Sequence, residues 1–258
     1  MKPFYKLAST ALIAMSAIAT QAQSVGSACG CPDVSLRTTV TLESLADGSG
    51  NLPASATTLT CDKLYTLQSK IYVPDLGDLY IQPGTVIKSF DNSGSNAYAI
   101  IIERGGQIWA NGSASCPIIF TSVSDPLDGS YAVTNRGKWG GLIILGRAFN
   151  NVQSTDLKDG GPAASTSITG TNGVGLIEGL AAGDSRNYYG MPVGSEINND
   201  NSGILRYVSL RHGGELLSTA NEINGLTLGS VGSGTTIDHI DISSNLDDGL
   251  RLSGGEMN

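Results

Sequence analysis

From Leu79 to Ser122 apolar and polar positions alternate in short runs, and glycine interrupts them at a fixed offset. The pattern is apolar, any, apolar, two residues, Gly, two residues, apolar. It occurs at Leu79, Ile81, Gly84 and Ile87, and 21 positions on at Ile100, Ile102, Gly105 and Ile108. It returns at Val208, Leu210, Gly213 and Leu216, and starts again at Leu250, Leu252 and Gly255; at Ile240 and Ile242 an asparagine, Asn245, takes the glycine place. Two apolar residues two apart share one face of a strand. Glycine then admits a bend with positive φ, and Asn is the next most tolerant residue there. Strand, bend and strand at about 20-residue intervals predict coils of a parallel β-helix, an all-β solenoid. A β-sandwich shares short strands and glycine turns, but gives no reason for a constant internal spacing.

The same alternation places the other elements. Strands are expected at Ile71–Val73, Leu79–Ile81, Val86–Lys88, Ala99–Ile102, Gln107–Trp109, Ile118–Thr121, Leu142–Leu145, Leu205–Leu210, Leu226–Leu228, Thr236–Ile242 and Leu250–Leu252. Asp-Asn-Ser-Gly at 91–94 and again at 200–203 reads as a turn between coils. Residues 71–258 form the solenoid, and residues 23–70 a segment covering its first coil, with one strand along Leu36, Thr38, Val40 and Leu42. Residues 150–199, rich in Gly, Ser and Thr, leave the body as an excursion in which only Leu176-Ile177-Glu178 looks like a strand. Trp139, flanked by Gly140 and Gly141, suits either a core cap or an exposed platform for sugars, the core being favoured. No polar cap follows the coil begun at Leu250, so further coils are expected beyond Asn258.

Composition adds the compartment. Lys2 and Lys6 precede an apolar run from Leu7 to Ala19, and Thr20-Gln21-Ala22 supplies small residues, which predicts a signal peptide over 1–22 cleaved after Ala22. The run is too short to span a bilayer. Formal charge is −8; losing two lysines with the signal leaves 13 basic against 23 acidic residues, or −10. Such a chain repels nucleic acid and anionic membranes and suits cations, neutral glycans or basic partners. Cys29, Cys31, Cys61 and Cys116 allow two disulfides in three pairings, with Cys29 and Cys31 reaching different partners. Their spacing is poor for zinc.

Four stretches resemble one family: DNSGILRYVSLRHGG from Asp200, NEINGLTLGSVGSGTTIDHIDISSNLDDGLRLSGG from Asn221, KWGGLIILG from Lys138 and IQPGTVIK from Ile81. These are similar to exported bacterial surface proteins with a right-handed, pectin-lyase-like β-helix, associated with type IX secretion in Bacteroidota. The similarity covers roughly residues 60–258 and implies that fold, with export by the secretion machinery. It implies no reaction. The chain departs from the family at Leu250-Arg251-Leu252-Ser253, where relatives carry aromatics, and in lacking a C-terminal sorting domain.

The best polar constellation is Asp238, His239, Asp241, Asp247 and Asp248, with Arg206, Arg211, His212, Glu215 and Arg251 on neighbouring coils. Among β-helix enzymes, lyases use Asp-bound calcium with an Arg or Lys base, and hydrolases use clustered Asp. That chemistry would fall to Asp238, Asp241, Asp247, Asp248, His212 and Arg211. The plainer reading makes Asp247-Asp248-Gly249 a turn. Calcium could be held at Asn198, Asn199, Asp200 and Asn201, or at Asp247 and Asp248, where hard oxygen ligands cluster; Asn- and Asp-rich turns are commoner. No phosphate loop, calcium nonapeptide or Ser-His-Asp signature occurs. The expectation is a non-enzymatic surface protein acting in adhesion or in binding extracellular polysaccharide or surface glycans, without a cofactor. The rivals are a polysaccharide lyase or glycoside hydrolase, and a purely structural envelope component.

Overall fold

The computed structural model describes residues 25–256 except 93, 95–96, 154–171 and 219–220. The predicted signal peptide, residues 1–22, lies outside the described residues. The chain winds as a right-handed parallel β-helix whose three strips of sheet form a triangular column. The first strip contains β2 (Ala56–Leu59), β5 (Asp78–Ile81), β8 (Gln107–Asn111) and the front halves of β13 (Gly203–Arg211) and β17 (Thr236–Ser243). The second contains β1 (Thr38–Thr41), β3 (Lys63–Leu67), β6 (Val86–Ser89), β9 (Ile118–Ser122) and the back halves of β13 and β17. The third contains β4 (Lys70–Val73), β7 (Ala99–Ile102), β10 (Leu142–Leu145), β16 (Leu226–Gly229) and β18 (Leu250–Ser253). Two small antiparallel hairpins stand outside the column: β11 (Val174–Leu176) with β12 (Tyr188–Gly190), and β14 (Leu216–Ser218) with β15 (Asn221–Glu222).

Alternation decides which side chains face the axis. Ile81, Ile102 and Leu210 are 3%, 0% and 1% exposed, and the core they join runs the length of the column. The repeat unit differs from the expected one. Leu79 and Ile81 lie in the first strip, Ile100 and Ile102 in the third, and Val208 and Leu210 in the second. The glycine pattern therefore marks one side and one corner of the triangle, not a whole coil. Neighbours along the column are 22 residues apart from Ala56 to Asp78, 29 from Lys70 to Ala99 and 42 from Ile100 to Leu142. Corners carry the variable length. At two of them no glycine is present: Tyr207 (φ 48°) and His239 (φ 51°) turn β13 and β17 from the first strip to the second, their rings stacked 4.3 Å apart.

Sequence reading placed residues 23–70 in a covering segment, yet β1, β2 and β3 pair in register with the column. Of the alternating strand read from Leu36 to Leu42, only Thr38–Thr41 is extended, since Leu36 and Leu42 belong to 3-10 turns. Residues 25–37 lie against the corner between first and second strips. Disulfides Cys29–Cys116 and Cys31–Cys61 tie them there. Buried Arg37 donates to the carbonyl oxygens of Gly84, Pro32 and Val25. The pairing agrees with Cys29 and Cys31 reaching different partners. Only glycine fits at Gly84 (φ 79°), where a Cβ would come 2.8 Å from both the Cys31 sulfur and Gly26 Cα.

The strand expected at Leu176-Ile177-Glu178 is displaced: extended residues are Val174–Leu176, and Ile177 begins a turn. At the far end Ile240 and Ile242 are half-buried, while Leu250 and Leu252 are 47% and 52% exposed although they occupy the ladder of buried Leu226 and Leu228.

Candidate functional site

Each strip has an outer face, and the corner insertions treat the three faces differently. Outward residues of the third strip are Tyr72, Ile101 and Ile143 in register. The described part of the excursion folds over them, and Val152, Ile177, Leu180 and Tyr189 complete a second apolar core. The outer face of the second strip is covered by residues 123–141. There buried Lys88 donates to the Asp125 carbonyl oxygen, the Thr121 hydroxyl donates to the Asp125 carboxylate at 2.7 Å, and His212 Nδ1 lies 2.5 Å from the Asn135 carbonyl oxygen. Tyr131 packs its ring edge-on against His212.

The first strip keeps its outer face open. Its central ladder is Thr58, Tyr80, Trp109, Ile204 and Thr236, in successive register. Tyr80 is 40% exposed, Trp109 and Ile204 half-buried. The Tyr80 and Trp109 rings lie within 10° of parallel with centroids 6.0 Å apart, so they are slipped rather than stacked squarely and each leaves part of a face uncovered. Trp109 donates its indole N–H to Asp78 at 3.0 Å, which fixes the ring. Asp78 and Gln107 flank the strip on one side. Asn111, Arg206 and Asp238 flank it on the other, paired in register. A sheet face therefore presents a narrow apolar and aromatic strip between two rows of hydrogen-bonding groups, repeating at the ~4.8 Å spacing of paired strands.

The residues singled out from the sequence are spread over this face, the next face and a corner. Asp238 belongs to the first strip and Asp241 to the second, with the bend at His239 between them. Asp238 holds His239 Nδ1 at 2.5 Å and lies 3.2 Å from Arg206 Nε, an ion pair without hydrogen-bond geometry. Asp241 accepts from Ser209, which in turn accepts from Arg211. His212 and Glu215 are buried at the corner leading to the third strip. Asp247 and Asp248 form the corner below it, their carbonyl oxygens accepting from the Asn245 side chain. Arg251 pairs with Glu178 of the excursion at 3.3 Å.

Three of the side chains proposed for calcium have local tasks. Asn198 accepts from Phe149 N–H, and Asn201 from Gly203 N–H, while buried Asp200 accepts from Arg147 N–H and Ser202. Burial raises the Asp200 pKa. Among the described residues no three His, Cys, Asp or Glu side chains converge as a metal site would need. Trp139 is a core residue, 1% exposed, its N–H on the Arg211 carbonyl oxygen and its ring against Phe120. The tryptophan on the open face is Trp109. Tyr80 and Trp109 are 29 residues apart, the same step as their inward neighbours Leu79 and Ile108. That offset was the signal available in the sequence.

Residues 50–258 match the family model of the pectate-lyase-like β-helix domain, and the chain belongs to that family. No curated protein and no solved structure shows significant similarity to it. Among the described residues no helix is long and apolar enough to cross a membrane. The two disulfides suit an oxidising, extracellular setting.

Proposed function

We propose that the protein is an exported, surface-displayed β-helix that binds extracellular polysaccharide along the open face of its first strip, without cleaving it. One observation carries this: that face is left uncovered while insertions bury the other two, and it holds the slipped Tyr80–Trp109 pair between rows of polar side chains. Aromatic faces take the apolar face of a pyranose ring, and flanking amide, carboxylate and guanidinium groups take its hydroxyls. A chain of sugars laid along the column meets one rung per unit, because rung spacing and sugar length are similar. Net acidity favours neutral over anionic glycans. Display through type IX secretion follows from the family resemblance and belongs to the same proposal.

Titration of the disulfide-intact protein against a panel of soluble neutral and acidic polysaccharides tests it. Binding to a neutral glycan is expected, and Trp109→Ala should weaken it about tenfold, the size of one aromatic contact, with melting curves showing the variant folded. No binding, or binding indifferent to Trp109→Ala, would refute the proposal. Chain cleavage in the same mixtures, with or without calcium and lost on Asp247→Ala or Asp248→Ala, would establish the enzymatic rival instead.

A further inference from the structure

The corner between third and first strips holds a second, chemically different concavity. Its floor comes from three successive corners, at Asp75, at Glu103 and Arg104, and at Arg147, and its wall from Arg186 of the excursion. The cleft measures about 520 Å³, and Glu103 and Arg186 separate it from a neighbouring hollow of about 710 Å³ that Asp47 also lines. Two of the three guanidinium groups already have carboxylates. Arg147 holds Asp75 at 2.8 Å, and Arg186 holds Asp184 at 2.6 Å. Gly105 (φ 89°) makes room for the first of these, since a Cβ there would clash with both partners.

Arg104 is left over. It donates one N–H to the Gly190 carbonyl oxygen at 2.9 Å and, among the described residues, has no carboxylate at hydrogen-bond distance. Burial is the main influence against its charge, Arg147 adds to that, and Glu103 and Asp75 favour it. Glu103 carries a buried carboxylate oxygen with no hydrogen-bond partner. Around it stand Arg186 and Asp184 on the excursion, Arg104 beside it, Asp75 on the preceding corner, Tyr72 on β4 and Asp47 across the neighbouring hollow. Three guanidinium groups against Asp75, Asp184 and Glu103 balance to zero when Glu103 is ionised, and leave one positive charge when it is protonated.

We propose that this cleft is an oxyanion-binding site, separate from the open sheet face, in which Arg104 anchors the anion and protonated Glu103 admits it. Arg104 supplies N–H donors and Arg147 a second positive charge behind it. An ionised Glu103 would repel the same anion, and a protonated one offers it a donor. Burial pushes the Glu103 carboxyl up to about 7, so the change falls at neutral pH.

Titrating the intact protein with sodium sulfate, at ionic strength held constant with chloride, tests this. Sulfate does not itself titrate in this range. Binding at pH 6 should be about tenfold tighter than at pH 8, the ratio of protonated Glu103 at the two pH values. Glu103→Gln should keep the pH 6 affinity at pH 8, and Arg104→Gln should remove the preference over chloride, with melting curves showing both variants folded. A parallel titration with acetate distinguishes a tetrahedral from a planar oxyanion, and selective binding of either supports the site. No preference over chloride at pH 6, equal affinity at both pH values, or binding that survives Arg104→Gln would overturn it. Should Arg104→Gln fail to fold, the Glu103→Gln comparison decides alone.

Discussion

Glu103 is the residue whose proton the fold holds most visibly. Burial is the main cause of its raised pKa, Asp184 and Asp75 add to it, and Arg186 and Arg104 oppose it. Its ordinary value is 4.5 and its folded value about 7, so the folded chain binds the proton more tightly than the unfolded chain. The stability linked to this group is full below about pH 4.5, is lost as pH rises toward 7, and stays lost above. Glu103→Gln should therefore raise stability at pH 8 by about 1 kcal/mol, the shift being discounted for partial exposure. At pH 4 it should change nothing. Urea unfolding at the two pH values measures the difference; a gain at pH 4 as large as at pH 8 would mean that the substitution acts through packing. None of this was legible in the sequence, where Glu103 follows a strand and precedes Arg104 like many solvated pairs. The corner places it under the excursion, and residues 172–199 do the burying. The two tryptophans show the same limit. Their neighbours suggested that Trp139 could be either core or platform, whereas Trp109 gave itself away only through a 29-residue register with Tyr80 that coil length hides.

Among elements, the excursion is the one whose attachment matters most. Its short hairpin of β11 and β12 lies over the third strip, held by apolar contact, by Arg104 and Arg251 of the column, which reach Gly190 and Glu178, and by its own Arg186. Arg186 sits 3.7 Å over the Tyr72 ring, donates to Asn51 at 2.7 Å and to the Ser49 carbonyl oxygen at 2.9 Å, and so reaches the first coil. Tyr72 in turn donates its hydroxyl to Asn187. Arg186→Ala removes a cation–π contact and several hydrogen bonds, a loss of about 1–2 kcal/mol felt locally. Amide exchange should quicken in Val174–Leu176 and Tyr188–Gly190 while Ile100–Ile102 and Leu142–Leu145 keep their protection. Equal quickening in all four would show that the hairpin and column open together. Leu79–Ile81 was readable because its alternation is strong, and Ala99–Ile102 because it is a continuous apolar run bounded by polar residues and glycine. β2 and β3 were not: Thr57 beside Leu59, and Lys63 beside Tyr65, alternate weakly and become strands through parallel pairing with β5 and β6. The hairpin escaped for a related reason, since Val174-Gly175-Leu176 is too short and too glycine-rich to show a period.

At the scale of the whole column, stability is built rung on rung, each coil covering the inward side chains of the one before. Burial along single ladders records this directly. Leu228 and Leu252 are paired neighbours in the third strip, yet one is 1% and the other 52% exposed. Residue type, strand geometry and inward direction are the same; what differs is that Leu228 lies between Ile144 and Leu252 in the ladder, whereas among the described residues Leu252 pairs with Leu228 alone. Leu228→Ala should cost about 2–5 kcal/mol, the range for a leucine removed from a packed interior. Leu252→Ala should cost less than about 1 kcal/mol, because the folded state already leaves half of that side chain in water. Urea titrations of the two variants, repeated at several protein concentrations, measure both. Equal costs at every concentration would contradict the rung-by-rung account of stability. A Leu252→Ala cost that grows with concentration would show Leu252 covered by a second copy. The outer faces follow a parallel logic, since adding insertions to two of three strips stabilises those strips while withdrawing them from contact. A ligand too long for any cleft is left the open strip of Tyr80 and Trp109, and its affinity, unlike the stability of the column, should not respond to Leu252→Ala.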